Sequence, residues 1–196
     1  MMEVREPDMT FNGYTYADYL NWTIPEMVEL IKGSVFKMNA PKRIHQKISG
    51  IVGNKIYTHL IGQKCEMYDA PFDVRLPIHS KKNEDIYTVV QPDICVICDP
   101  LKLDDAGCIG APDIIIEILS PGNNRKELQN KYEVYEESGV LEYWIIHPDE
   151  QTLQVNTLIN GKYQPSKLFT SGDIIETPIL PGFSLNLSEV FEKLNN

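Results

Sequence analysis

Basic residues are scarce in this chain, and their scarcity limits the partners it can have. The 196 residues include 18 Lys and Arg against 28 Asp and Glu, which gives a formal net charge of −10 at pH 7. Proteins that bind nucleic acids usually carry a broad positive surface. The composition counts against such a surface, and it predicts that any binding to DNA is weak and strongly dependent on salt, or confined to one basic rim.

Long apolar runs are also missing. No stretch approaches the roughly 20 apolar residues needed to span a bilayer. The first eight residues contain acids and a proline where a signal peptide has an apolar core. We therefore expect a cytoplasmic protein with no membrane partner. The length fits a single domain over residues 1–196, large enough to bury a hydrophobic core.

Cysteines are few, and their spacing is a poor match to a metal site. Cys95 and Cys98 have the C-x-x-C spacing, but no second pair of ligands accompanies them. They lie in an apolar run that predicts a strand, where residues three apart point to opposite faces. A zinc or redox role is the alternative; we favour Cys65, Cys95, Cys98 and Cys108 as small buried hydrophobic residues.

Hydrophobic periodicity predicts an alternation of helices and strands. Residues 42–60 carry an apolar stripe at helical spacing, and residues 125–138 form a second predicted helix. The near-continuous apolar run at 114–119 is typical of a strand covered on both faces. The other predictions are a helix at 15–22 and one at 188–193, a hairpin at 27–38, strands at 65–76, 86–98, 140–147, 152–158, 162–168 and near 174, a loop at 104–107 and a turn at 120–124.

This order indicates an α/β fold, with helices packed on a core sheet and a β meander near the C-terminus. Glu117 lies inside the apolar run of that sheet, where an ionised carboxylate must be paired, neutralised or bound to a metal. Asp93 leads into the apolar run at 94–97. If the two strands pair, Asp93 and Glu117 project toward one cavity and form a site for Mg²⁺ or Mn²⁺, which prefer carboxylate oxygens.

Each acid also has a structural interpretation. Gln91-Pro92-Asp93 is also typical of a turn entering a strand, and Asp113 follows a proline in the same way and competes with Asp93. Glu117 could instead be a buried glutamate paired with a structural lysine or arginine, because buried acids almost always have a partner.

A cation next to the two acids would complete a hydrolytic site. The helix predicted at 125–138 offers Lys126 and Lys131. Lys131 falls beside the stripe predicted to face the sheet, whereas Lys126 falls on the opposite face; the stripe contains Leu128, Tyr132 and Tyr135. We therefore assign Lys131 to charge stabilisation at phosphorus or to the nucleophilic water. The alternative is a lysine that extends over the edge of the core.

Glu29 and His45 are further candidates. Glu29 stands between Val28 and Leu30 in the predicted hairpin, and His45 opens the first long helix on the flank of its apolar stripe. A lone histidine in such a position is more often structural, so His45 depends on the resemblance described next.

These residues, in this order and spacing, resemble the Uma-type restriction endonuclease family of the PD-(D/E)XK nuclease superfamily. The resemblance extends over about residues 15–191. Its most specific segments are residues 14–20, 29–33, 45–49, 91–93, 110–113, 117–121, 131–135, 139–144 and 180–183.

The resemblance implies a restriction-endonuclease-like core with a central mixed sheet flanked by helices. It implies that Asp93 and Glu117 bind magnesium, that Glu29 and His45 line the same cleft, and that the protein forms a homodimer. Leu119 stands where the superfamily's E-x-K motif has lysine. The family places the lysine on the following helix, which agrees with the assignment of Lys131.

The leading interpretation is a magnesium-dependent endonuclease acting on DNA, with its sequence specificity in loops such as residues 80–85. A catalytically silent DNA- or protein-binding module of the same fold is the alternative, favoured by the acidic balance and by Leu119. A third interpretation is a dimeric scaffold whose buried acids are satisfied by Lys131.

Overall fold

The computed structural model describes residues 6–120 and 125–192, with only the backbone of residues 125–127. The predicted turn at 120–124 and helix at 188–193 therefore lie partly outside the described residues. Within them, no helix is long and apolar enough to cross a membrane. The α-helices in this part of the chain are α1 (Tyr16–Tyr19), α2 (Arg43–Leu60), α3 (Arg125–Ser138) and α4 (Leu187–Phe191).

Short strands connect these helices. They are β1 (Val28–Ile31), β2 (Ser34–Lys37), β3 (Glu66–Asp69), β4 (Val74–Arg75), β5 (Val89–Val90), β6 (Ile94–Ile97), β7 (Leu103–Asp104), β8 (Gly107–Ile109), β9 (Ile114–Ile118), β10 (Glu142–His147), β11 (Thr152–Ile159), β12 (Lys162–Pro165), β13 (Ile174–Glu176) and β14 (Ser184–Asn186).

The predicted α/β class is confirmed, and the predicted core sheet resolves into two six-stranded sheets. The N-terminal sheet has the order β2-β1-β5-β4-β8-β7, and the central sheet has the order β12-β11-β10-β9-β6-β3. Both are mixed, because β4 pairs in parallel with β8 and β9 with β10, while the other pairs are antiparallel. The predicted C-terminal meander supplies β11 and β12 of the central sheet and the separate hairpin β13–β14.

The alternation of side chains along β9 separates two cores. Ile114 and Ile116 pack against α2, whose buried stripe contains Ile48, Val52 and Ile56. Ile115, between them in sequence, points to the opposite face and packs in the core that contains Val134 and Tyr135 of α3. The central sheet is therefore covered on both faces, as its apolar sequence predicts. Burying each large apolar side chain stabilises the fold by about 1.5–3 kcal/mol.

Two prolines lie where the chain passes between the sheets. Pro71 separates β3 in the central sheet from β4 in the N-terminal sheet, and Pro92 separates β5 from β6 in the reverse direction. Proline has no N–H to donate to a ladder. The continuous strands predicted at 65–76 and 86–98 were therefore wrong, because each breaks at its proline. The Ala70 N–H donates to the Asp93 carbonyl at 3.2 Å and joins the two crossings.

The predicted hairpin at 27–38 is confirmed and is fastened to α3. β1 and β2 pair antiparallel around Lys32 (φ 50°) and Gly33 (φ 78°), the positive values that a tight two-residue turn requires. The Lys32 ammonium lies 3.3 Å from Glu133 and 3.0 Å from Glu137 on α3. The loop predicted at 104–107 is instead the turn of a hairpin between β7 and β8.

The cysteine prediction is confirmed for one pair and wrong for the other. Cys95 and Cys108 are buried free thiols. Cys65 and Cys98 form a disulfide. They flank the antiparallel pair β3–β6, in which Glu66 lies opposite Ile97, so the same register sets Cys65 opposite Cys98. The sequence pattern missed this pair because the partners come from different strands.

Candidate active site

A buried lysine lies between two buried glutamates where β1, β9 and α3 meet. The Lys131 ammonium is 2.9 Å from Oε1 of Glu29 and 2.9 Å from Oε1 of Glu117. All three side chains are at least nine-tenths buried. The backbone N–H of Gln91 also donates to Oε1 of Glu29 at 2.9 Å. The cluster brings together residues that are distant in sequence and come from both sheets.

Lys131 is more central than the helical stripe predicted. It is 6% exposed, and with Val134 and Tyr135 it forms the inward face of α3. Leu128 and Tyr132, which were predicted to face the sheet, are only partly buried. The side chain of Lys126 lies outside the described residues. Lys131 points into the interior because its ammonium has two carboxylate partners there, which the periodicity of apolar residues could not reveal.

The charges of the cluster shift the pKa values of its own members. Burial alone would lower the pKa of Lys131, but the Glu117 and Glu29 carboxylates outweigh burial and raise this pKa well above 10.5. The two carboxylates therefore favour the ammonium form of Lys131. Burial raises the pKa of Glu117 to about 7, Lys131 opposes this shift, and the nearby charges of Asp93 and Glu29 add to it.

Tyr135 is a member of the cluster that the sequence analysis treated only as a sheet-facing residue. Its hydroxyl donates to Oε1 of Glu117 at 2.7 Å. Burial, followed by the charge of Glu117, raises the pKa of Tyr135 well above its usual value, so the hydroxyl keeps its proton. The available signal was its spacing, because a residue four positions after Lys131 lies on the same side of a helix.

Asp93 lies next to Glu117 across the central sheet. β6 and β9 pair antiparallel with Ile94 opposite Ile116, and one further step in this register sets Asp93 opposite Glu117. Oδ2 of Asp93 accepts the Ile118 N–H at 2.6 Å and lies 3.1 Å from Nε2 of His45. The strands that carry the predicted acid pair are therefore neighbours.

His45 and Asp93 both line an open cleft of about 220 Å³. The histidine is 7% exposed, and its Nδ1 has no hydrogen-bond partner within the described residues. Asp69, at the end of β3, is a carboxylate that sequence analysis did not single out; burial raises its pKa. The residues that line the cleft are His45, Gln46, Ser49, Gly50, Gly53, Asn54, Asp69, Ala70 and Asp93.

The donor set suits a hard divalent cation that keeps much of its own water. Within residues 6–120 and 125–192, no group of three or more His, Cys, Asp or Glu side chains is arranged to hold a metal ion. Asp93 and Glu117 offer carboxylate oxygens on adjacent strands, and neither Oδ1 of Asp93 nor Oε2 of Glu117 accepts a hydrogen bond from a described residue. Mg²⁺ commonly takes one or two protein carboxylates together with water and substrate phosphate. The residues therefore fit Mg²⁺ or Mn²⁺.

The chain thus combines a mixed α/β fold with buried acids and a buried lysine on neighbouring elements. The chain belongs to the Uma2 family, described as "Putative restriction endonuclease", whose model matches residues 16–188. The family predicted from the sequence is thereby confirmed.

Two further comparisons found similar proteins. The chain is 26% identical over 147 residues to the uncharacterized protein slr1290 of Synechocystis sp. strain PCC 6803, covering 74% of each protein. It is also similar to the crystal structure of a putative nuclease of the DUF820 family from Anabaena variabilis. That similarity has a TM-score of 0.73 at 22% identity, over 92% of this chain and 99% of the other. At this identity, the similarity to the crystal structure shows the fold alone.

Proposed function

We propose that this protein is a Mg²⁺- or Mn²⁺-dependent endonuclease that hydrolyses phosphodiester bonds in DNA. The observation that carries the proposal is the meeting of Asp93, Glu117 and Lys131 at one end of adjacent central strands, inside an otherwise apolar interior. Buried charges of this kind are expensive to maintain, and one of the three residues, Asp93, lines the cleft; charged groups at a cleft are candidates for a functional site.

Each side chain has a distinct role in the proposed reaction. Asp93 and Glu117 would hold the cation, which when bound lowers the pKa of water and stabilises charge on the phosphate. Lys131, whose ammonium form is favoured by Glu29 and Glu117, would stabilise negative charge on the phosphate. Glu29 holds Lys131 in place through the contact at 2.9 Å. His45 orients Asp93 through the contact at 3.1 Å.

A small basic rim supports DNA as the substrate. Lys42 and Arg43 are exposed at the start of α2, in the same turn as His45 and Gln46 of the cleft. The first turn of this helix contains no acid. The helix dipole and its free N–H groups favour phosphate at this end. These features favour weak, local binding of DNA, in keeping with a net charge of −10.

A cleavage assay tests the proposal. Supercoiled plasmid is incubated with wild type, Asp93→Asn, Glu117→Gln and the exposed control Asp149→Asn while MgCl₂ or MnCl₂ is varied. We expect metal-dependent nicking by wild type and Asp149→Asn and its loss in the two site variants. Equal activity in all four proteins would reject the site, and the absence of cleavage by wild type would reject the nuclease.

The alternative function is a catalytically silent module that binds DNA or protein, or a dimeric scaffold. The net charge of −10 favours it, and so does the pairing of the buried acids with Lys131, which stabilises the interior without a cation. Calorimetry with Mn²⁺ separates these functions, because a hydrolase site binds the ion and a scaffold need not. Sedimentation at several concentrations tests the predicted homodimer, for which the β meander is the proposed contact.

A further inference from the structure

The Glu117 side chain is nine-tenths buried, and its two carboxylate oxygens have different surroundings. Oε1 accepts hydrogen bonds from the Lys131 ammonium at 2.9 Å and from the Tyr135 hydroxyl at 2.7 Å. Oε2 accepts none from the described residues. A carboxylate oxygen with two strong donors has little remaining capacity to bind a cation, whereas its partner oxygen retains all of it.

We propose that Tyr135 is a positioning residue: with Lys131 it holds Oε1 of Glu117 so that Oε2 is the oxygen presented to the divalent cation. This inference rests on the proposed function. It assigns a distinct task to each oxygen of one carboxylate. It also explains why α3 contributes a hydroxyl next to the ammonium, where the apolar core alone would accept phenylalanine.

The surroundings of Tyr135 suit a rigid support. Its side chain is fully buried, and its ring packs edge-on against Tyr143 with centroids 5.0 Å apart and planes at 73°. Lys131 lies one helical turn earlier on the same helix. A tyrosine has few rotatable bonds, and here packing fixes them, whereas a lysine stem is flexible. The hydroxyl therefore defines the orientation of the carboxylate more sharply than the ammonium can.

A purely structural hydroxyl and a positioning hydroxyl predict different results on removal. If the hydroxyl only satisfies a buried carboxylate, Tyr135→Phe lowers the free energy of unfolding and leaves the affinity for metal unchanged. If it positions Glu117, the affinity for Mn²⁺ falls by about 10- to 100-fold, the usual effect of losing a group that orients a metal ligand.

Titration calorimetry with MnCl₂ on the full chain makes this comparison. The matched control is Tyr163→Phe, because Tyr163 is 7% exposed and its hydroxyl donates to the Val140 carbonyl at 3.0 Å, outside the cluster. Urea unfolding of each protein reports stability separately. We expect weaker Mn²⁺ binding in Tyr135→Phe and wild-type affinity in Tyr163→Phe.

The outcomes separate this inference from the proposed function. Wild type without Mn²⁺ binding overturns the proposed function, and this inference with it. Equal Mn²⁺ affinity in wild type and Tyr135→Phe overturns only the role of Tyr135. If Tyr135→Phe does not fold, a crystal structure of wild type soaked in MnCl₂ decides: the ion on Oε2 with the Tyr135 bond intact supports the inference, and the ion on Oε1 overturns it.

Discussion

At the scale of single residues, the interior is organised around the Lys131 ammonium. Two carboxylates, Glu29 and Glu117, each contact it at 2.9 Å in a region otherwise filled by apolar and aromatic side chains. Removing one partner of a buried ion pair leaves an uncompensated charge, which costs far more than loss of a surface pair. Lys131 therefore contributes to stability as well as to the proposed chemistry.

The first prediction concerns this buried charge. Lys131→Met keeps the length of the side chain but leaves Glu29 and Glu117 without a cation, so we expect the free energy of unfolding to fall by about 3–5 kcal/mol. Urea denaturation followed by circular dichroism measures it. The control is Lys162→Met. The Lys162 side chain is 81% exposed and its ammonium pairs with Glu136, so removing this charge should change the free energy of unfolding little. Similar losses in both variants would contradict the prediction.

The second prediction concerns pH. The guanidinium of Arg75, which is 4% exposed, pairs with Asp104, and their hydrogen bond lowers the pKa of Asp104 below 3.8. A lowered folded-state pKa gives stability that is present above pH 4 and lost as pH falls through the folded value. Because the Asp104 side chain is 47% exposed, solvent screens the pair, and asparagine retains one acceptor; Asp104→Asn should therefore cost about 0.5 kcal/mol at pH 7 and progressively less toward pH 3.

Urea titrations of wild type and Asp104→Asn across this pH range test whether their difference in free energy of unfolding shrinks as the pH falls. The neighbouring exposed Asp105→Asn is the matched control, because it removes the same charge away from Arg75. A difference between wild type and Asp104→Asn that grew on acidification would show that another interaction dominates.

At the scale of elements, two glycines of α2 have different surroundings. Gly50 has open space around it, whereas Gly53 packs closely against β3. A methyl group added at Gly50 would meet nothing within 4 Å, whereas one at Gly53 would come within 3.1 Å of Oδ1 of Asp69. Both positions are interior to the helix, where alanine is favoured over glycine by about 1 kcal/mol. Gly53 therefore lets β3 approach α2 at the cleft.

The third prediction follows from this pair. Gly50→Ala should raise the free energy of unfolding by about 1 kcal/mol. Gly53→Ala gains the same helix propensity but must displace Asp69, so its gain should be smaller or negative. Parallel urea titrations of the two variants give the comparison directly, and an equal gain in both would mean that Asp69 moves aside without cost.

The sequence predicted some helices and strands better than others. Strong periodicity predicted α2 and α3 closely, and the Lys32-Gly33 turn identified the hairpin β1–β2. The strands around Pro71 and Pro92 were predicted as continuous because a local apolar pattern is the same on both sides of a crossing between sheets. The pattern therefore identified Asp93 and Glu117 as candidates, while their pairing and the role of Tyr135 required the register and tertiary contacts.

At the scale of the whole molecule, charge is distributed unevenly. The formal net charge is −10, yet α2 begins with Lys42 and Arg43 next to the cleft. A protein with this balance repels DNA over most of its surface and should bind it through few phosphate contacts. The salt dependence of binding then reports how many contacts there are.

The fourth prediction uses that dependence. Arg43→Ala should weaken DNA binding and reduce the slope of log K against log salt by about 1. Lys64→Ala, which removes an exposed charge beyond the opposite end of the same helix, should leave the slope unchanged. Fluorescence anisotropy with a labelled duplex at several NaCl concentrations measures both. A larger effect of Lys64→Ala would indicate that DNA binds at the other end of α2.

The separation in sequence between Glu29 and Lys131 has a consequence for biosynthesis. A ribosome releases the strands of the N-terminal sheet well before α3, and domains generally acquire structure in that order. Until Lys131 emerges and docks, Glu29 and Glu117 lack the ammonium that pairs with them in the folded protein. A polypeptide that ends before residue 131 therefore carries both glutamates without their ammonium, and the cluster forms only late in synthesis.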